Sequence, residues 1–123
     1  MMEVPTRLLY TLTNSLVRDF NAFRAATGHE ALDLSGVDLS HLNLAGIDLA
    51  NVRLYASNLH GCKLNEADLA GSSLQGTNLA YADLTRANLQ NVRFGDTPFG
   101  PTILLGAKLD RTDLTGATGR AVR

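Results

Sequence analysis

Apolar residues recur at every fifth position over most of this chain. From Leu34 to Leu114, the five-residue step lands 15 times on leucine and twice on phenylalanine, without a slip of phase. The residue two places earlier is wide and apolar at first, from Leu32 to Val52, and afterwards mostly Ala, Ser, Thr or Cys. The residue between these two is most often Asp or Asn. The chain therefore repeats a five-residue unit with two positions of core character.

A period of five fits neither a regular helix nor a single long strand. On an α-helix, successive leucines would lie about 140° apart and would surround the helix axis. On one strand, an odd step would send alternate leucines to opposite faces. Three extended residues followed by a two-residue corner satisfy both inward positions. The pattern therefore predicts a flat-sided coil whose successive turns stack about 4.8 Å apart through strand-like hydrogen bonds.

The segment ADLAGSSLQGTNLAYADLTRANLQ resembles the pentapeptide-repeat proteins, whose consensus is A-(D/N)-L-x-x. The resemblance extends over residues 32–117. It implies an all-β fold, a right-handed quadrilateral β-helix with four five-residue units in each coil. About four coils, forming a rod on the order of 20 Å long, are then expected.

The repeat predicts three parts in the chain: an N-terminal helical cap over residues 1–30, a β-helix over 31–118 and a short tail over 119–123. Inward residues four units apart should stack into ladders. The predicted core ladders are Leu34, Leu54, Leu74 and Phe94, and Leu39, Leu59, Leu79 and Phe99. Cys62 takes an inward position for a small residue, which favours a core role over a reactive thiol.

Residues 4–27 follow a helical period instead. One face of that helix carries Leu8, Leu9, Leu12, Leu16, Phe20 and Phe23. Leu12, Leu16, Phe20 and Phe23 are predicted to cover the open core and the unpaired edge of the first coil. The motif TNS at 13–15 is able to begin a new helix, so one helix or two remain open. The alternative is a helix that binds a membrane surface or a partner.

Outward residues four units apart should also stack into columns. The predicted pairs of opposite charge are Asp33 with Arg53, Lys63 with Asp83, Glu66 with Arg86, and Arg93 with Asp113. Such solvated pairs contribute less than about 1 kcal/mol each. Asp48 beneath Asp68 is a like-charge pair, unless these side chains bond to corner amides.

The stretch GDTPFGPTILLGAK, residues 95–108, keeps the inward phase while its outward residues change character. Stacking of units four apart places Pro101 above Tyr81 and Ile103 above Asp83. The predicted interface patch is Tyr81, Pro101, Ile103 and Leu105, a grouped apolar surface on a small rod. The alternative is that Pro98 and Pro101 distort this coil into a bulge.

Composition and chemistry exclude several classes. The 123 residues carry 11 basic and 12 acidic residues and no apolar run long enough to span a membrane. The N-terminus lacks the features of a secretion signal, and one cysteine fits a reducing compartment, so a cytoplasmic protein is expected. His41 and His60 are the only candidate metal ligands, and no third ligand accompanies them. No catalytic residue, cofactor or metal is expected.

The sequence therefore favours a non-enzymatic protein-interaction or structural module built as a rigid rod, with an unknown partner. An open C-terminal end favours a homodimer through the last coil. The resemblance offers an alternative, a DNA-mimicking binder of type II topoisomerase (gyrase). Residues 32–117 carry nine acidic and six basic residues, which is weak for a mimic. An adaptor within a larger system is the third hypothesis, and direct nucleic-acid binding is not expected.

Overall fold

The computed structural model of the chain describes residues 15–95 and 98–123. One helix, α1 (Leu16–Ala26), precedes four short strands: β1 (Leu32–Asp33), β2 (Val52–Arg53), β3 (Thr102–Ile103) and β4 (Ala121–Val122). The strand β1 pairs with β2, and β3 pairs with β4, in both cases in parallel. The predicted cap residue Leu12, and the choice between one helix and two, lie outside the described residues.

Parallel bridges between outward residues define the coil. Asp38 pairs with Asn58, and Asn58 pairs with Asn78, so partners lie four units apart. A two-residue turn follows every three extended residues, and each coil of four units therefore has four corners. The second corner residue adopts a left-handed conformation, as His41 does at a φ of 64°. This is the three-plus-two geometry that the five-residue period predicts.

The core of the rod is a stack of leucines whose side chains are fully buried. Leu54, Leu59, Leu74 and Leu79 are all 0% exposed. Small inward residues add hydroxyl groups that bond to carbonyl oxygens of the preceding coil, such as Ser57 to Leu34 at 2.7 Å. Burial of a leucine side chain stabilises the fold by about 1.5–3 kcal/mol, so these columns dominate the stability of the rod.

The spacing between coils changes in the last part of the rod. Ser73 pairs with Arg93, but the next bridge joins Asn78 to Ile103, and Asp83 pairs with Lys108. Partners now lie five units apart. One five-residue unit separates Ser73 from Asn78, whereas two units separate their partners, Arg93 and Ile103. One five-residue unit is therefore inserted within the last coil.

The inserted unit, to which the described residue Phe99 belongs, corrects one predicted ladder. Phe99 does not stack on Leu79 inside the rod: its side chain is 51% exposed, and Leu104 takes the inward place instead. The Phe99 ring stacks on Tyr55, with centroids 5.1 Å apart and planes 12° from parallel. Phe94 remains packed against the core. The prediction that Phe99 is a core residue is wrong. Phe99 belongs to the inserted unit, which does not stack on the preceding coil, so the ring stays outside the core.

Helix α1 lies against the first coil. Leu16 and Phe20 are buried there, and Phe23 packs against the same cluster. The first coil has wide inward residues, and the residual cavity beneath the helix is only about 10 Å³. Among its lining residues are Leu16, Phe20, Leu34, Leu39, Leu44, Ile47 and Leu49. The wide residues of the first coil therefore pack against the helix rather than leaving an open interior.

Candidate interaction surface

Outward Asp and Asn side chains hold the corners of the coil. The Asn58 Oδ1 accepts a hydrogen bond from the His60 amide at 3.0 Å, and the Asn78 Oδ1 accepts one from the Ala80 amide at 2.9 Å. Asp48 and Asp68 bind the amides of Ala50 and Ala70 in the same way. These local bonds are the arrangement that makes the stacked carboxylates of Asp48 and Asp68 tolerable.

The same corner bonds lower the pKa of four carboxyl groups, those of Asp33, Asp38, Asp83 and Asp113. The pKa of Asp83 is lowered mainly by the hydrogen bond from the Thr85 hydroxyl, at 2.6 Å, and then by the Thr85 amide. The pKa of Asp33 is lowered by the equivalent bonds from Ser35. The pKa of Asp113 is lowered first by the amide of Thr115. These carboxylates are structural, because their acceptor oxygens already serve the corners.

Three rings form a ridge along one corner of the rod. His41 and His60 meet edge to face with centroids 5.2 Å apart, and His60 meets Tyr81 in the same way at 5.5 Å. The Tyr81 ring then packs against Gly106, where a Cβ would lie 2.5 Å from the ring. No group of three possible metal ligands occurs among the described residues. The histidines here extend an aromatic surface.

One side of the rod, adjoining this ridge, becomes apolar toward the C-terminus. Its outward column runs through Asp38, Asn58 and Asn78 to Ile103, and Ile103 pairs with Val122 in the next strand. Leu105 and Tyr81 lie at the ridge corner, and Phe99 lies at the opposite corner beside Gly76. We call Tyr81, Phe99, Ile103, Leu105 and Val122 the apolar face. Their exposed fractions are 60% for Tyr81, 51% for Phe99, 49% for Leu105, 41% for Val122 and 36% for Ile103.

The structure changes the predicted columns around this face. Ile103 lies above Asn78 rather than Asp83, and Gly106 rather than Pro101 lies above Tyr81. Pro101 is partly buried at the opposite corner, so it does not meet Tyr81. The five-residue period alone does not reveal the contributions of Phe99 and Val122, because the first depends on the five-unit spacing and the second on the pairing of the tail.

The outward charge pairs also change after the inserted unit. Arg53 and Asp33 remain neighbours, with their nearest charged atoms 4.0 Å apart, and Lys63 pairs with Asp83 along the bridges. Arg93 does not lie beneath Asp113: it pairs with Thr118. Asp113 instead lies above Asn88 and accepts a hydrogen bond from Gln90 at 2.5 Å. The predicted pair of Arg93 with Asp113 is therefore wrong.

At the N-terminal end, side chains of α1 take the places of missing backbone partners. In later coils, each outward amide donates to a carbonyl of the preceding coil, as Asp68 donates to Ile47. The Asp48 amide has no such coil beneath it and donates to the Asn21 Oδ1 at 2.8 Å. The Arg24 guanidinium likewise donates to the Ala50 carbonyl. In the next coil, the corresponding carbonyl of Ala70 accepts a hydrogen bond from the Asn51 backbone amide instead. Two side chains of the helix thus bind backbone groups at the edge of the first coil.

Arg24 was not singled out by the sequence. It is 1% exposed, and it also donates to the Glu30 carbonyl at 2.8 Å. Among the described residues, no carboxylate forms an ion pair with it. The sequence signal for this role was the polar residue Arg24 beside the apolar stripe of the helix.

The C-terminal end has a different character. Leu89 is 0% exposed, whereas Leu114 is 38% exposed. An open concavity of about 320 Å³ lies there, lined by Phe94, Leu104, Leu109, Leu114, Ala117, Gly119, Ala121 and Arg123. The tail is not free, since β4 pairs with β3. Apolar side chains are thus accessible at this end, next to the apolar face.

Two further observations bear on chemistry. Cys62 is 1% exposed, and its burial raises the pKa of the thiol to about 11, so the thiolate form that gives cysteine its reactivity is suppressed. Within residues 15–95 and 98–123, no helix is long and apolar enough to cross a bilayer.

The fold and its repeat define a parallel β-solenoid of five-residue units. A family model described as pentapeptide repeats matches residues 33–69 and 62–99, in 8 copies. The chain belongs to the pentapeptide-repeat family.

Several solved structures of pentapeptide-repeat proteins are similar to this chain, and the first of them supports the fold. A pentapeptide-repeat protein, Rfr23, from the cyanobacterium Cyanothece 51142 is 21% identical, with a TM-score of 0.50 over 85% of this chain and 98% of its own. HetL from Nostoc sp. strain PCC 7120, involved in heterocyst differentiation regulation, is 35% identical over 70% of this chain and 40% of its own, with a TM-score of 0.37. QnrB1, a plasmid-mediated fluoroquinolone resistance protein, is 15% identical over 71% of this chain and 59% of its own, with a TM-score of 0.32. A comparison with curated protein sequences returns no match.

Proposed function

We propose that this chain is a non-enzymatic protein-interaction module, a rigid β-helical rod that binds a protein through the apolar face. The observation that carries the proposal is the grouping of Tyr81, Phe99, Ile103, Leu105 and Val122 on one side and its corners. Large side chains that remain exposed as a group, rather than singly, are typical of interaction sites. Aromatic residues are also enriched in the centres of interfaces.

The rod geometry supports this role. We infer that the coil is right-handed, the sense that the family implies and that parallel connections adopt. We also propose that α1 is the N-terminal cap, because Asn21 and Arg24 bind the edge groups of the first coil. With α1 packed on the first coil, the apolar face on the side of the rod is the surface we propose for binding. A cytoplasmic location is consistent with one buried, reduced cysteine.

A second copy of this chain is the first partner to test. The apolar face carries no charged residue, so two copies can approach without like-charge repulsion. The accessible leucines of the C-terminal concavity lie in the same coil. We therefore expect a dimer formed through the C-terminal coil.

The test is sedimentation velocity over a range of concentrations for three proteins. The wild type should form a dimer, and the Ile103→Asp/Leu105→Asp variant should be a monomer with the same circular dichroism spectrum. The matched control, Thr115→Asp/Thr118→Asp, changes two exposed residues elsewhere in the last coil and should dimerise like the wild type. Equal dimerisation of all three would show that the apolar face is not the self-interface.

The gyrase-binding alternative has less support. Asp48, Asp68 and Asp113 do lie in one column with Asn88, but the adjacent side carries Arg53 and Arg93 in a column of its own. A DNA mimic needs a continuous negative surface, which this mixture does not provide. A gyrase supercoiling assay would revive the alternative if the protein inhibited the enzyme at low molar excess.

A further inference from the structure

We infer that Pro98 and Pro101 together set the register of the last coil, by excluding a second register that the sequence otherwise permits. The five-residue phase of the sequence continues through the inserted unit, where Thr97 and Phe99 fall at the two inward positions of the repeat. If this unit entered the coil, the spacing between partners would return to four units. Every unit after it would then move by one side of the rod, placing Ile103 above Asp83.

Pro98 excludes that register through the hydrogen bond it cannot donate. Outward amides donate to a carbonyl of the preceding coil throughout the regular coils, as Asn78 donates to Ser57 at 3.0 Å. In the second register, the same offset would require residue 98 to donate to the Thr77 carbonyl. Proline has no amide hydrogen and is excluded from such ladder positions. In the structure Ile103 occupies the place and donates to Thr77 at 3.0 Å.

Pro101 excludes the same register through its backbone angle. In the second register it would lie above Tyr81, at the second position of a corner. That position is left-handed at Gly61, with a φ of 67°, and at Tyr81, with a φ of 60°. The proline ring holds φ near about −65°, so Pro101 cannot take it. In the structure the left-handed angle falls on Gly100 instead, with a φ of 78°.

The register also determines where the apolar face lies. In the observed register Ile103 lies above Asn78, at the end of the column that begins at Asp38, and beside Leu105 and Tyr81. In the second register Ile103 would lie among the charged residues above Lys63 and Asp83. This consequence for binding rests on the proposed function, whereas the inference about register stands without it.

Disulfide formation between engineered cysteine pairs tests which register the last coil adopts. The background is Cys62→Ser, since Ser57 makes the same buried bond to a carbonyl oxygen as Cys62 does. The pair Asp83→Cys/Lys108→Cys reports the observed register, because adjacent coils lie within disulfide reach. The pair Asp83→Cys/Ile103→Cys reports the second register. With both prolines present, the first pair should form a disulfide at least tenfold faster than the second.

The variant Pro98→Asn/Pro101→Gly should reverse this preference. Each single variant retains one excluding proline and should keep the observed register. Phe99→Ala is the matched control, because it removes the ring contact with Tyr55 and leaves both prolines, so it too should keep the observed register. An unchanged preference in the folded double variant, or a reversed one in Phe99→Ala, would overturn the inference.

A further variant covers the case in which the double variant does not fold. Deletion of residues 97–101 removes one five-residue unit together with both prolines, and leaves Asp83 beneath Lys108. It should fold and cross-link through the 83/108 pair. Failure to form that cross-link would also contradict the inference. A folded variant in the second register that still dimerises would refute the apolar face as the self-interface while upholding the register.

Discussion

Arg24 offers the sharpest test of how the first coil is held. Its guanidinium is buried, with hydrogen bonds to the carbonyls of Glu30 and Ala50 and with no carboxylate partner among the described residues. The variant Arg24→Met keeps much of the apolar bulk and removes both bonds. The partly buried carbonyls of Glu30 and Ala50 then lose these donors.

The expected loss follows from the two bonds. A hydrogen bond from a charged donor contributes about 1.5–3 kcal/mol, and an orphaned buried carbonyl costs about 1–3 kcal/mol. Relief from burying an unpaired guanidinium offsets part of this, since that burial costs several kcal/mol. We expect a net loss of about 2 kcal/mol in the free energy of unfolding, because the bonds to two carbonyls outweigh the relief. Arg24→Ala should lose about 4 kcal/mol, because it also leaves a cavity.

The measurement is urea unfolding combined with amide hydrogen exchange. Each repeat contacts mainly its neighbours, so lost protection should be concentrated at first-coil amides such as Leu34 and Leu39, while Leu84 keeps its protection. The matched control is Arg18→Ala in the same helix, whose side chain is 80% exposed and lies 3.6 Å from Asp19. Its loss should stay below about 0.5 kcal/mol. Wild-type stability in Arg24→Met would refute the reasoning, since desolvation would then cancel both bonds.

Two further predictions concern the inserted unit and acid stability. Gly76→Ala should destabilise the protein by about 2 kcal/mol more than Gly36→Ala in urea unfolding. Both glycines have left-handed backbone angles at equivalent corners, but only at Gly76 would a Cβ meet Phe99, at 2.6 Å. Equal losses of stability in the two variants would therefore contradict the packing of Phe99 against Gly76. Because corner bonds lower the pKa of Asp33 and Asp83 below 3.8, their stabilisation is present above that pH and is lost as pH falls through the lower folded-state pKa. Asp83→Asn keeps the acceptor oxygen, so its melting temperature should fall less than that of the wild type between pH 5 and pH 2.5; a parallel fall would exclude this contribution.

The sequence predicted the local fold well because the repeat is a packing requirement. Every fifth residue must fill the interior, so the phase alone specifies three extended residues and a corner. That phase cannot report a whole extra unit, because the insertion of one complete unit leaves the period intact. The columns after Arg93 were therefore misplaced, although Pro98 at a donor position and Pro101 at a left-handed corner both signalled it.

The candidate site was predictable only in part. Tyr81, Ile103 and Leu105 stand out in sequence because apolar residues replace the usual polar ones at outward positions. Phe99 has the inward phase, so nothing periodic separates it from the core. The bonds of Asn21 and Arg24 join a helix to backbone groups 26 or 27 residues away, and such contacts leave no repeat in the sequence.

The way in which α1 holds the first coil has a consequence for how such rods change in length. Its polar contacts through Asn21 and Arg24 reach backbone atoms: the carbonyls of Glu30, Gly46 and Ala50 and the amide of Asp48. Every coil presents carbonyls and amides in the same arrangement as that edge. Duplication of one full coil in the middle of the array would therefore lengthen the rod without altering any of these contacts. The length of the rod and the contacts of α1 can therefore evolve independently, and a designer can vary one while keeping the other.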